Sequence, residues 1–235
     1  SRQRLRNYSH GCFQPRGKAL THRAATRTIP HSCSVACEFR LTAPHTAMLL
    51  AAGRGERMRP LTDDRPKPLL EAGGQPLLHY PLHALARAGV QRVVVNLAWR
   101  GQRIRDWLGN GARYGLEVRY SDEGAQALET GGGILKALPL LGPDAFWLVN
   151  GEVYGDYSFP ATSLADGDLA HLVMVPNPDH HPGGDFCLDD GRIRAGGSSR
   201  RTSCGLALLR PWLGDGRAPG VFPGARLLVG AGAGG

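Results

Sequence analysis

Several things are scarce in this chain of 235 residues, and each scarcity removes a class of protein. No stretch approaches the roughly 18 consecutive apolar residues of a membrane-spanning helix, and the opening residues hold no apolar core of a secretory signal, so no membrane partner is expected. Cysteine is scarce: five in all, with Cys12, Cys33 and Cys37 before residue 47. They are too few and too scattered for a disulfide scaffold, and Cys33 and Cys37 beside His31 lack a second ligand pair at zinc-finger spacing, which leaves a reducing, cytoplasmic setting as the simplest expectation. Charge of one sign is also lacking where it would matter. The net charge is +8, but residues 1–46 carry eight Lys/Arg against one acid, and the remainder carries twenty against nineteen. The body therefore gives no reason to expect a nucleic-acid partner. Two nucleotide fingerprints are missing as well: no Gly-Lys-Ser/Thr completes a Walker loop, and Met58 stands where a dinucleotide loop needs its third glycine.

What is present centres on Ala47 to Pro68, AMLLAAGRGERMRPLTDDRPKP. Ala47 to Ala52 suits a buried parallel strand, and Gly53 and Gly55 follow where backbone amides can approach a ligand with no Cβ in the way. Arg54, Arg57, Arg59, Arg65 and Lys67 then face Glu56, Asp63 and Asp64. Glycines and cations at the end of a strand make a phosphate site, and the prolines flanking Lys67 fix backbone φ on either side of it.

Downstream, Pro76 to Ala88 places Leu78, Leu82 and Leu85 on one helical face and ends at Gly89. Val90 to Ala98 is a Val-rich strand, Gln102 to Leu108 a short helix, and Leu116 to Tyr120 an alternating strand. Gly131-Gly132-Gly133 reads as a turn before a helix carrying Ile134, Leu135, Leu138 and Leu141. Ala145 to Val149 and Leu169 to Val175 are further strands, a hairpin is expected across Asp190-Gly191, and Cys204 to Leu209 is a last strand. From Gly214 the Gly- and Pro-rich chain is expected to supply no core element. The alternation of strand and helix predicts an α/β fold: a doubly wound, mostly parallel Rossmann-like sheet with a small β subregion, binding ligands at the carboxyl ends of the strands. Residues 1–46 read as a disordered basic extension, and 47–235 as the domain.

Leu50, Ala51, Ala52, Gly53, Gly55, Arg57, Pro60, Thr62, Pro66, Lys67 and Pro68 resemble, position by position, the signature of the sugar-phosphate nucleotidyltransferases. LETGGGI, VNGE and VPNPDHHPGGDF follow in that family's order. Within it, these later motifs are similar to the bacterial branch that transfers uridylyl from UTP to N-acetylmuramate α-1-phosphate in cell-wall recycling. The resemblance covers residues 47 to about 211 and implies the site. The Ala51, Ala52, Gly53 and Gly55 backbone holds the triphosphate, with Arg57 on the departing pyrophosphate and Lys67 on the α-phosphate. Glu129, Thr130 and Gly131 read the base. Asn150, Gly184 and Asp185 contact the sugar, and Glu152 holds Mg²⁺.

Two departures stand out. The family has aspartate where this chain has Glu152, and its closing segment with a further metal-binding aspartate has no counterpart before Gly235, so the domain is expected to be incomplete there. Cys204 also replaces a small hydroxyl residue, while His180 and His181 lack the third ligand that zinc would need. The alternatives to an active uridylyltransferase are therefore a nucleotide-binding remnant of the same fold, a mannose- or glucose-1-phosphate enzyme, or a basic interaction module using residues 1–46.

Overall fold

The computed structural model describes residues 43–231 apart from residue 195. Residues 1–42, which hold most of the expected basic extension and the Cys33–Cys37 pair, lie outside the described residues. The apolar run forms β1 (Thr46–Leu50), and its centre, Ala47, Met48 and Leu49, is fully buried, as a strand covered on both faces must be. A loop with two 3-10 turns, Glu56–Met58 and Lys67–Leu69, leads into a hairpin of β2 (Glu71–Ala72) and β3 (Gln75–Pro76). This hairpin corrects the expected helix start. Pro76 pairs with Glu71, and α1 (His79–Arg87) begins three residues later, burying Leu82 and Leu85 as its spacing predicts.

β4 (Arg92–Leu97), α2 (Gly101–Leu108) and β5 (Glu117–Asp122) follow. Next come α3 (Glu129–Leu141) and β6 (Phe146–Asn150), then β7 (Ala170–Val175). The hairpin of β8 (Phe186–Asp189) and β9 (Arg192–Arg194) turns at Asp190 and Gly191, both at positive φ (44° and 72°), as its Asp-Gly sequence predicts. β10 (Arg200–Leu209) and α4 (Gly224–Ala231) close the described chain.

The sheet runs β5-β4-β1-β6-β10-β8-β9, with β7 also paired to β10. β5, β4, β1 and β6 are mutually parallel, and β10 is antiparallel to β6. Strand alternation splits the core. Leu49, Val93, Val95 and Trp147 pack with α1 and α2 residues on one face, whereas Met48, Val94 and Phe146 pack with Ile134, Ala137 and Leu141 of α3 on the other. Parallel order reverses direction of travel beside β1, so the crevice outside β1 and β6 is the place a ligand is expected. Among the described residues no helix is long and apolar enough to cross a membrane.

Two expectations need correction. The Gly- and Pro-rich end does contribute to the core: Leu227 of α4 is 1% exposed and joins the cluster of α3. Its composition hid the short run ARLLV between glycines. The triple glycine is no turn either, because it lies in the first turns of α3.

Candidate active site

A cleft of about 360 Å³ opens at the carboxyl ends of β1, β4 and β6. Ala51, Ala52, Gly53, Gly55, Arg57 and Lys67 line one side of it, and Glu129, Thr130, Asn150 and Glu152 also line it. The structure thus gathers most of the residues proposed from sequence into one cavity. Gly131, Gly184 and Asp185 are not among its lining residues.

The signature loop folds back on itself for identifiable reasons. Thr62, fully buried, donates from Oγ1 to the Gly55 carbonyl at 3.0 Å. Gly55 sits at φ +71°, and a Cβ there would meet Thr62 Cγ2 at 3.0 Å and Lys67 Cβ at 3.1 Å, so only glycine lets the lysine stem cross. Gly53 differs: a Cβ would meet no protein atom within 4 Å, so no packing requirement accounts for glycine there. The loop's five cations divide as well. Arg54 stacks 3.8 Å over Trp99 and donates to the Thr62 carbonyl at 2.6 Å. Arg59 pairs with Asp63 at 2.8 Å, and Arg65 with Glu71 at 2.9 Å. These three brace the loop. Arg57, exposed at the cleft, has no ion pair with a described residue, and Lys67 reaches across to Glu152, Nζ to Oε1 at 2.8 Å.

The Lys67–Glu152 pair joins the loop to the end of β6, with both side chains about one-third exposed at 30% and 32%. A pair so solvated contributes only about 0–1 kcal/mol, so it orients both groups without locking them together. An incoming phosphate can take the ammonium at small cost.

The opposite wall is the start of α3. Glu129 enters it at φ +59°, a left-handed conformation that costs a non-glycine residue about 1–2 kcal/mol. Each glycine after it answers a packing demand. A Cβ would strike Phe222 Cε2 at 2.4 Å from Gly131, the Gly220 carbonyl oxygen at 2.0 Å from Gly132, and Glu123 Oε1 at 2.6 Å from Gly133. The Gly131 and Gly132 amides donate to the Phe222 carbonyl at 3.0 and 3.3 Å. That carbonyl satisfies orphan donors of the helix start, where no side chain caps them.

Sequence reasoning missed Asn96 and Glu123, which also line the cleft and are 3% and 7% exposed. One signal was available: Asn96 is the polar interruption in the run VVVNLA at the end of β4.

Gly184 and Asp185 sit in a strap alongside β10. Gly184, at φ +57°, is buried against Asn177, and Asp185 accepts from the Ser203 amide at 2.8 Å and faces His181 Nε2 at 3.1 Å. Two residues on, Gly205 at φ +81° leaves space for the amide of Asn150, where a Cβ would stand 2.5 Å from Nδ2. The strap therefore reaches the cleft through β10 rather than directly.

The cleft thus sets a glycine-bearing loop, with Arg57 exposed and Lys67 reaching over to Glu152, at the head of a parallel sheet. Residues 46–165 match the Nucleotidyl transferase family, and the chain belongs to it. It is 49% identical over 178 residues to the N-acetylmuramate alpha-1-phosphate uridylyltransferase of Neisseria meningitidis serogroup B, covering 72% of this chain and 77% of that one. A protein of the same name from Caulobacter vibrioides is 47% identical over 165 residues, covering 65% and 68%. Mannose-1-phosphate guanylyltransferase of Mycobacterium tuberculosis is 32% identical over 177 residues, covering 75% of this chain and 40% of that one. The inositol-1-phosphate CTP transferase of T. maritima shares the fold, with a TM-score of 0.62 at 20% identity over 82% of this chain and 83% of that one. The sequence relatives are enzymes that transfer a nucleotidyl group to a sugar 1-phosphate, and this chain is an enzyme of that kind.

Proposed function

We propose that the chain transfers uridylyl from UTP to N-acetylmuramate α-1-phosphate in the cytoplasm, forming the UDP-sugar and pyrophosphate for cell-wall recycling. The observation that carries this reading is the meeting of Lys67 and Glu152 across a glycine-lined cleft, in a chain about half identical to two uridylyltransferases. A sugar-phosphate oxygen attacks the α-phosphorus of UTP, and the bond to the β-phosphoryl oxygen breaks with its electron pair leaving on pyrophosphate. A phosphate monoester, with a second pKa of about 6, is already mostly ionised near neutrality and needs no general base. What the protein must supply is alignment and charge. Lys67 exchanges its carboxylate partner for the α-phosphate, Arg57 meets the departing pyrophosphate, and Gly53 leaves bare backbone beside the triphosphate. Ala51, Ala52 and Gly55 complete the loop, with Glu129, Thr130 and Gly131 assigned to the base and Asn150, Gly184 and Asp185 to the sugar.

Magnesium fits the donor set. Among the described residues no three acidic, histidine or cysteine side chains cluster as a metal cage, whereas Glu152 presents a carboxylate to the cleft beside Asn150. Mg²⁺ commonly takes one or two carboxylates together with substrate phosphates and water. Glu152 would hold the ion, which when bound neutralises charge on the phosphate oxygens.

The test is pyrophosphate release with UTP, dTTP or GTP against a panel of sugar 1-phosphates that includes the N-acetylmuramate, mannose and glucose derivatives. Release confined to UTP and N-acetylmuramate 1-phosphate is the expected result. Preference for GTP with mannose 1-phosphate would replace the assignment, and UTP binding without turnover by any pair would leave a nucleotide-binding remnant.

A further inference from the structure

Asn96 and Glu123 form a buried relay between the two walls of the cleft. The Ala51 amide donates to Asn96 Oδ1, Asn96 Nδ2 donates to Glu123 Oε1, and the Leu128 amide donates to Glu123 Oε2, each at 2.7 Å. The chemistry allows only this polarity. A carboxylate has no donor, so the Asn96 amide must turn its NH₂ toward Glu123 and its oxygen toward the Ala51 N–H. Ala51 opens the triphosphate loop, and Leu128 immediately precedes Glu129 and Thr130. Gly133 leaves the room for this: a Cβ there would stand 2.6 Å from Glu123 Oε1 and 3.0 Å from Asn96 Nδ2.

We propose that Asn96 and Glu123 are positioning residues that hold the base wall in register with the triphosphate loop, and so govern use of the nucleoside triphosphate rather than of the sugar phosphate. The inference rests on the functional reading above. Replacing Glu123 by glutamine is nearly isosteric yet breaks the relay. If the new Oε1 accepts from Leu128, the new NH₂ faces the Asn96 NH₂, and turning Asn96 over then sets its NH₂ against the Ala51 N–H. One buried donor is left facing another in either arrangement. Moving the carboxylate to the other side mends it. With Asn96→Asp added, aspartate accepts from both Ala51 and the Gln NH₂, and Gln Oε1 accepts from Leu128.

The test compares the full chain with E123Q and with N96D/E123Q by steady-state kinetics, below the thermal transition of each. E123Q should raise KM for UTP about tenfold or more while KM for the sugar 1-phosphate stays within about twofold, and the double variant should return KM for UTP to within about threefold of the parent. Equal shifts in both KM values, or no shift, would overturn the proposal, as would a folded double variant that stays impaired. If E123Q fails to fold, the double variant decides alone. A substrate-free readout separates this claim from the functional one: hydrogen exchange over residues 47–55 should quicken in E123Q and recover in the double variant. Parent chain inactive on every substrate pair counts against the function, whereas unchanged exchange counts against the relay.

Discussion

The wall of the cleft that carries the proposed nucleotide residues and the strap beyond β10 are built from different materials. On the nucleotide flank, the backbone that faces the cleft is tied to side chains inside the protein: Thr62 is fully buried, and Asn96 and Glu123 are nearly so. On the strap, which meets the cleft only through β10, the ties are made by exposed groups. Arg200 donates to the carbonyls of Gly184 and Asp185 at 3.1 and 3.0 Å from a solvent-exposed position, and Asp185 holds the Ser203 amide from the surface. Burial makes a hydrogen bond costly to lose, and exposure makes it replaceable by water. The buried ties of this nucleotide flank are thus an extension of the core, where a substitution at Thr62, Asn96 or Glu123 is expected to cost stability and activity together. The strap can change its contacts while the sheet stays folded, which suits the sugar-side role proposed for Gly184 and Asp185.

The largest effect should come from Lys67, which reaches over to Glu152 at the end of β6. Lys67→Ala removes the cation proposed to meet the reacting phosphate and should lower kcat about 100- to 1,000-fold in the pyrophosphate-release assay. Its thermal transition should barely move, since the lost ion pair is solvated. A large loss of stability would show that the lysine is part of the frame rather than of the chemistry. Leu227→Ala tests the frame itself: burial at 1% predicts a loss of about 2–4 kcal/mol in denaturant unfolding. A neutral result would mean that α4 does not support α3. Gly55→Ala should destabilise by about 1–2 kcal/mol through its positive φ and also lower kcat, because the Lys67 stem must shift. Stability and activity moving together is the mark of a residue that braces the nucleotide flank, as Gly55 does and Lys67 does not. Arg200→Ala should do the opposite, raising KM for the sugar 1-phosphate several-fold with KM for UTP unchanged. A change in KM for UTP would erase the distinction between the flanks.

Much of this was legible from residue order, for physical reasons that also mark where legibility stopped. β1, β4 and β6 are short apolar runs buried on both faces, and the Asp-Gly turn fixes the β8–β9 hairpin, so local pattern and tertiary role agree there. The resemblance singled out Arg57 and Lys67, but residue order alone did not say what occupies Arg54, Arg59 and Arg65. That distinction depends on where Trp99, Asp63 and Glu71 come to lie. The triple glycine read as a turn because its residues are good turn formers, whereas in α3 they answer the close approach of Phe222, Gly220 and Glu123. Asn96 and Glu123 are 27 residues apart and meet only across the sheet. A polar residue in an apolar strand announces that it has a partner and does not say which.

The smallest predicted effect checks that the helix flanking the sheet is not itself part of the pH response of catalysis. His79, at the start of α1, is half-buried, lies 3.0 Å from the Tyr114 hydroxyl and stacks on His83 with ring centroids 5.8 Å apart. Burial, then the charges of His83 and Arg113, hold its pKa below the ordinary 6.5. The unfolded chain therefore takes up this proton first as pH falls. Stability linked to His79 is full above pH 6.5 and declines as pH drops from there toward the lower folded value. Thermal transitions should fall with acidity more steeply in the parent than in His79→Gln over that window. His83→Gln should fall between them, because it removes a neighbouring charge and leaves the burial. His79 is absent from the cleft lining, so the pH dependence of KM for UTP should be the same in all three proteins. A shift in that profile would mean that α1 couples to the nucleotide flank, which would break the division between a helix that frames the sheet and the site at the head of it.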